Sequence, residues 1–436
     1  MTTPTYRPDI DGLRAIAVLA VLLFHSGFDV VSGGYVGVDV FFVISGFLIT
    51  TIIVRELAEG SFSIVGFYER RMRRILPASI VTVAVCLIVG FLVFETEDLG
   101  RLARSAIANS FFLSNIYFYL QTGYFDAAAE LKPLLHTWSL SLEEQYYVVT
   151  PLLLMLIARF FSQRHMVFIA PIAIASFAAC VYGTTVNPSG TFYMLWTRAW
   201  ELLIGSILAI AAATNVTRIS NARVLQGLAI LGLGMILFSI FAFDNQTAFP
   251  GAYAAIPTVG TAMLIYTGQS GMTPINRLLA VRPMVFVGLI SYSLYLWHWP
   301  IIVFTRYLKG VELTHLEISI MLLATFAISI LSWRFVETPF RRKRLLPTRK
   351  GIFIGSIGST LALVVVSLFG VGGVVDMEWR RWRACENVIE RLEDDTGLCV
   401  VGDGVDAPSF ILWGDSHARA FNSAVHASGQ RLGLSG

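Results

Sequence analysis

Long apolar runs broken by short polar or basic segments occupy the chain from residue 10 to residue 375. A bilayer core of roughly 30 Å takes about 20 apolar residues per helix, because hydrocarbon offers open backbone no hydrogen-bond partner. Eleven runs meet that length, near 10–28, 35–55, 76–95, 142–160, 166–183, 193–213, 224–242, 252–268, 284–305, 315–335 and 351–375. The pattern predicts an all-α polytopic membrane bundle of about 11 transmembrane helices. Ten lie within residues 1–345, expected to form one membrane domain, and the eleventh falls in a linking segment, 346–376. The first run lacks a basic lead and a small-residue cleavage site, and it contains Arg14 and His25, so it reads as a retained helix rather than a signal peptide. The aromatic-rich stretch from Glu95 to Leu140 is expected to pack as amphipathic or re-entrant structure.

Basic residues set the sidedness, since positive loops stay in the cytoplasm. With the N-terminus inside, the cytoplasmic segments hold eighteen Lys and Arg and the opposite loops five. The tail after the eleventh span then lies outside. There the composition turns polar (MEWRRWRACENVIERLEDDTGLCV), so residues 377–436 are expected to begin an extracytoplasmic α/β domain. Cys385 and Cys399 fall in it and suit a disulfide in an oxidising compartment, a pairing that sequence leaves open, whereas Cys86 and Cys180 sit in spans. Composition narrows the class further. Apolar residues make up 56% and charged residues 14%, with a mean hydropathy of +0.69, which excludes an ordinary soluble enzyme. A near balance of 32 basic and 29 acidic residues excludes a nucleic-acid binder.

Ionisable groups inside spans are costly and so mark candidate sites. Arg14 and His25 are eleven residues apart, which puts them on one helix face about 16 Å apart along the axis. Asp39, a turn into the second span, lies at nearly the depth of His25. It could orient that imidazole as acid groups do in catalytic triads, or form an ion pair with Arg198. The segment YERRMRRILP sets Arg70, Arg71, Arg73 and Arg74 before the third span; as guanidinium forks at i and i+3 they suit a phosphate-rich ligand such as a nucleotide-bearing acyl donor. HTWSLSLEEQYY places His136, Glu143 and Glu144 at the outer mouth of the fourth span, SYSLYLWHWP buries Tyr295 and His298 in the ninth, and SWRFVETPFRRKR ends the tenth with Arg334 and Glu337 positioned to pair and Pro339 as a helix stop.

These segments, with RPDIDGLRAIAVLAVLLFH and GGYVGVDVFFVISGFLIT, resemble the acyltransferase-3 family of integral membrane proteins, particularly the O-antigen O-acetyltransferases that carry an appended SGNH domain. Six motifs in family order span residues 7–342. The resemblance implies transfer of an acyl group, usually acetyl from cytoplasmic acetyl-CoA, to a hydroxyl of an extracytoplasmic glycan or lipid-linked saccharide such as lipopolysaccharide O-antigen. It implies a bacterial inner membrane, a bilayer and a glycan as partners, no nucleic acid, and no metal. Arg14 and His25 match the family's essential Arg and His, Arg71 and Arg74 its Arg-x-x-Arg pair, and Glu143, Glu144, His298 and Glu337 further motif positions. His25 is expected to act as general base or acyl relay, with CoA phosphates on the arginines.

FILWGDSHARAF reads as a buried strand, a tight turn and a helix, and it resembles the first block of SGNH hydrolases with Ser416 as nucleophile. The late Asp-x-x-His of that family is expected well beyond residue 436, so the sequence is expected to be a truncated form in which Ser416 is inactive. Two other classes remain: a transporter or flippase of a lipid-linked sugar using the buried Arg, His and Asp as a polar path, and an SGNH esterase on a membrane anchor, for which eleven spans are excessive.

Overall fold

A computed structural model describes residues 6–122, 132–161, 164–214, 219–310 and 313–389, with side chains through residue 371. Two compact units divide the chain, Met1–Leu368 and Phe369–Gly436. Among the described residues the structure is helical, without strands.

The helices are α1 (Pro8–His25), α2 (Gly37–Ala58), α3 (Ile64–Val93), α4 (Thr96–Ser110), α5 (Ser114–Leu120), α6 (Thr137–Phe160), α7 (His165–Val186), α8 (Pro188–Tyr193) and α9 (Leu195–Ala213). There follow α10 (Ala222–Ala242), α11 (Ala255–Ser270), α12 (Pro274–Leu279), α13 (Arg282–Lys309), α14 (His315–Ser332), α15 (Thr338–Arg341) and α16 (Arg349–Ile389). Each of the eleven apolar runs coincides with one of them. Eight membrane-spanning candidates, by length and composition, are found among the described residues. The other three runs fall short for visible reasons. Asp9, Asp11 and Arg14 interrupt α1, Glu143, Glu144 and Gln145 interrupt α6, and α11 has only 16 residues. Between α3 and α6 the aromatic stretch forms α4 and α5, and α4 is strongly amphipathic, as expected of that loop.

Without a hydrophobic force between helices in lipid, close backbone approach at small residues sets the packing. A methyl at Gly46 of α2 would lie 1.8 Å from the Leu202 carbonyl oxygen of α9, and one at Gly205 of α9 would lie 2.1 Å from the Val43 carbonyl oxygen. Likewise Gly12 of α1 meets the Leu279 carbonyl, and Gly288 of α13 meets the Asp11 carbonyl, each at 1.9 Å from the added carbon. Gly12 thus seats α1 on α12, and Gly288 seats α13 on α1, the two helices that carry His298 and His25.

Pro339 does not simply stop the tenth span. The helix widens to a π turn over Trp333–Glu337 and continues as α15, because proline at 339 removes an N–H and crowds the preceding turn. Arg334 and Glu337, expected to pair, part company across that turn. Glu337 instead binds Arg341 at 3.0 Å and accepts from Ser293 Oγ at 3.3 Å, while Arg334 lies over the Phe335 ring at 5.8 Å.

Candidate functional site

Helix α3 starts where Ser63 Oγ accepts the Gly66 N–H at 3.2 Å, which places all four arginines of the YERRMRR segment on helix. Arg71 and Arg74 face inward and, with Arg14, Ser45, Glu143 and Tyr147, line a cavity of about 90 Å³. Arg71 Nε is buried without a hydrogen-bond partner, its guanidinium 5.9 Å from the Phe67 ring and 6.0 Å from Tyr147. Arg74 has no ion pair among the described residues, and Arg14 has only a long one, 3.4 Å to Asp11. Guanidinium groups so placed fit an anionic ligand.

The other two arginines of the segment, Arg70 and Arg73, do not line this cavity. Arg70 donates to both oxygens of Glu56 at 2.9 Å. Arg73 is buried against Glu69 at 3.0 Å and donates to the Leu346, Pro347 and Thr348 carbonyls at 2.8, 3.2 and 3.1 Å. Lys343 and Arg349 close on the same Glu69. Arg73 thus staples the segment before α16 to α3.

Glu143, six residues after the start of α6 at Thr137, lies with these arginines. Ser45 and Tyr147 hydrogen-bond beside it. Glu144, half-buried, lines neither this cavity nor the next, and Glu337 lines neither as well.

At the far end of α1 a second cavity, about 340 Å³, is lined by His25, His136, Asp39 and Arg198 among aromatic rings. His25 Nδ1 lies 3.1 Å from His298 Nε2, and His298 Nδ1 lies 2.7 Å from the Tyr295 carbonyl. A carbonyl only accepts, so His298 Nδ1 carries a proton. For two neutral rings, His298 Nε2 then accepts from His25 Nδ1–H, and His25 Nε2 keeps its lone pair. The two ring planes are 17° apart with centroids 5.3 Å apart, the Trp299 ring lies 4.7 Å from His25 between centroids, and Arg306 donates to the His25 carbonyl at 3.1 Å. This hydrogen-bond chain fixes the tautomer, the role expected of Asp39.

Asp39 is engaged elsewhere. Its Oδ1 accepts from Arg198 Nη2 at 2.9 Å, and Glu201 approaches the same guanidinium at 2.7 Å. All three side chains are buried, and the rings of Phe42, Trp138, Phe192 and Phe249 lie 5.5 to 5.8 Å from the guanidinium carbon. The ion pair is the second of the two readings its sequence allowed. Glu201 went unnoticed, although Arg198 and Glu201 at i and i+3 inside an apolar run were a legible signal.

The two cavities share a wall made of Tyr295 and Val38. Tyr295 Oη donates to the His136 carbonyl at 3.0 Å and meets Ser139 Oγ at 2.6 Å. Sequence placed Tyr295 inside its span but assigned it nothing. No group of three or more His, Cys, Asp or Glu able to hold a metal occurs among the described residues. Ser416 and the Cys385 and Cys399 thiols lie outside the described side chains, while Cys86 and Cys180 are buried and free.

Comparison with known proteins places these residues in context. Residues 384–436 match an SGNH domain of the kind fused to AT3 domains. The chain is 33% identical over 395 residues to the O-acetyltransferase OatA of Staphylococcus aureus (strain NCTC 8325 / PS 47), covering 86% of this chain and 64% of that protein. It is 34% identical over 359 residues to the peptidoglycan O-acetyltransferase OatA of Listeria monocytogenes, covering 79% and 57%. With the putative peptidoglycan O-acetyltransferase YrhL of Bacillus subtilis it shares 30% over 386 residues, covering 85% and 60%. The chain therefore spans less than two thirds of the length of these relatives. No solved structure gave a significant match. Both cavities lie within residues 7–334, the segment that matches the acyltransferase domain of the acyltransferase-3 type, and to that family the chain belongs.

Proposed function

We propose that the chain is a membrane O-acyltransferase that moves an acyl group, acetyl above all, from cytoplasmic acyl-CoA to a hydroxyl of a cell-envelope glycan. The observation that carries this reading is the pairing of two cavities across one tyrosine wall, one lined by arginines and one by an oriented imidazole. The names of the relatives favour peptidoglycan over lipopolysaccharide O-antigen as the glycan. With the N-terminus inside, the arginine cavity faces the cytoplasm and the histidine cavity the outside.

In this reading Arg71, Arg74 and Arg14 bind the donor's phosphates, and the partnerless Arg71 Nε supports that role. The thioester arm reaches toward Tyr295. His25 Nε2 takes the proton of the acceptor hydroxyl as its oxygen attacks the thioester carbonyl. The carbon–sulfur bond breaks, the ester forms, and the proton passes from His25 to the departing thiolate. His298 and the Tyr295 carbonyl hold the imidazole in the tautomer that makes this possible. The membrane domain is residues 1–345, followed by the linking helix and the extracytoplasmic part that begins near residue 377, where Ser416 is the proposed SGNH nucleophile. Purified wild-type protein with radiolabelled acetyl-CoA and peptidoglycan fragments should give alkali-labile labelled glycan, and His25→Ala should give none. Labelled glycan from folded His25→Ala at the wild-type rate would refute the assignment.

A further inference from the structure

Across the junction of α15 and α16, the ten residues RRKRLLPTRK, 341–350, include six cations and no anion, and all ten are exposed. Three of the cations have carboxylates. Arg341 meets Glu337 at 3.0 Å, while Lys343 and Arg349 meet the two oxygens of Glu69 at 3.4 and 3.0 Å. The side chains of Arg342, Arg344 and Lys350 have no ion pair among the described residues. Sidedness alone asks for positive charge and nothing more. Here the charge also has a shape. Lys343 and Arg349 close on one carboxylate and Arg73 holds the carbonyls of residues 346, 347 and 348, so the segment is folded back against α3. Each of the three unpaired cations is next in sequence to a residue that grips Glu69, which gathers them at the start of α16. Like charges held together call for an anion.

The surface that continues from this cluster is apolar. Lys350 is followed on one face of α16 by Ile354, Ile357, Leu361 and Val365, which are 59, 56, 56 and 50% exposed. Helix α16, and α14 with its extension to Arg341, bury only 17% and 22% of their most apolar stretches inside the protein, against 67% for α13. A free phosphate would use the cations and not the stripe, and a hydrocarbon would use the stripe and not the cations. A phospholipid uses both. Guanidinium forks suit phosphate oxygens, and basic clusters beside a span attract anionic lipid. A zwitterionic headgroup brings a cation of its own, which the cluster repels.

We propose that this corner of the molecule is a binding site for an anionic phospholipid, with the headgroup phosphate held by Arg342, Arg344 and Lys350 and an acyl chain lying along Ile354 and Ile357.

The intact chain in neutral detergent is titrated with dioleoylphosphatidylglycerol, dioleoylphosphatidylcholine or glycerol 1-phosphate, and bound molecules are counted by native mass spectrometry. Phosphatidylglycerol should bind saturably, about tenfold or more tighter than phosphatidylcholine, and glycerol phosphate should not bind at the same concentrations. Combining Arg342→Gln, Arg344→Gln and Lys350→Gln should weaken phosphatidylglycerol by about tenfold or more. The control combines Arg223→Gln, Arg277→Gln and Arg282→Gln, which removes the same charge from loops that the basic pattern assigns to the same side; it should change the affinity less than about twofold. Tm checks folding, and should the first triple variant not fold, Arg344→Gln alone should weaken phosphatidylglycerol about threefold. Equal affinity for the two lipids, glycerol phosphate bound as tightly as phosphatidylglycerol, equal losses in the two triple variants, or unchanged affinity in the folded first variant overturns the site.

Discussion

Replacing His298 by leucine removes the acceptor for His25 Nδ1–H, 3.1 Å away, while leaving the helix contacts of α1 and α13 in place. The reactive tautomer then holds a buried N–H without a partner, which costs about 1–3 kcal/mol. The other tautomer does not bear that cost, so the reactive fraction falls by about 5- to 150-fold at about 1.4 kcal/mol per factor of ten. The loss should appear in kcat for acetyl transfer, with KM for acetyl-CoA unchanged, because the arginines line a different cavity. His298→Gln supplies an oxygen at the position of Nε2 and should recover most of the rate, to within about threefold of wild type, since that oxygen accepts the same N–H. The assay is initial-rate transfer from labelled acetyl-CoA to a glycan fragment, with Tm as the check on folding. Equal losses in the leucine and glutamine variants, or full activity in folded His298→Leu, would refute the tautomer argument.

The four arginines should separate in the same way. Arg71→Ala removes a charge-assisted contact worth about 1.5–3 kcal/mol and should raise the KM for acetyl-CoA about 10- to 150-fold, whereas Arg70→Ala, whose partner is Glu56 at the surface, should change it less than about twofold. Arg73→Ala should lower stability by about 1–3 kcal/mol, read as a fall in Tm, without a selective effect on acetyl-CoA, because it frees the carbonyls of residues 346–348. Gly46→Ala puts a carbon 1.8 Å from the Leu202 carbonyl oxygen and should cost about 1–3 kcal/mol in thermal denaturation, with Gly227→Ala, which meets nothing within 4 Å, as the neutral control.

How much of this could be seen in the residues alone depends on the range of the interaction. Apolar runs depend on local composition, and each of them coincides with a helix. The spacing of Arg70, Arg71, Arg73 and Arg74 made all four candidates for a phosphate ligand, and what separates them is contact with Glu56, Glu69 and the 346–348 carbonyls, the first of these carbonyls 273 positions from Arg73. That Glu143 joins the arginines follows from the packing of α6 beside α2, where Ser45 meets Tyr147, a contact no local pattern shows. The partner of His25 was the hardest to see. Asp39 was close in sequence and in depth, whereas His298 lies 273 positions away and reaches His25 across the close approach of α13 to α1 at Gly288.

In the proposed reaction an acyl group, and not its carrier, passes from the arginine cavity to the histidine cavity. Proteoliposomes of uniform orientation separate the two, with labelled acetyl-CoA on the Arg71 side and a glycan fragment on the other. Labelled ester is expected on the far side and all CoA on the near side. Ester found only where the donor was added, or CoA recovered intact across the bilayer, would show that the acyl group does not cross alone.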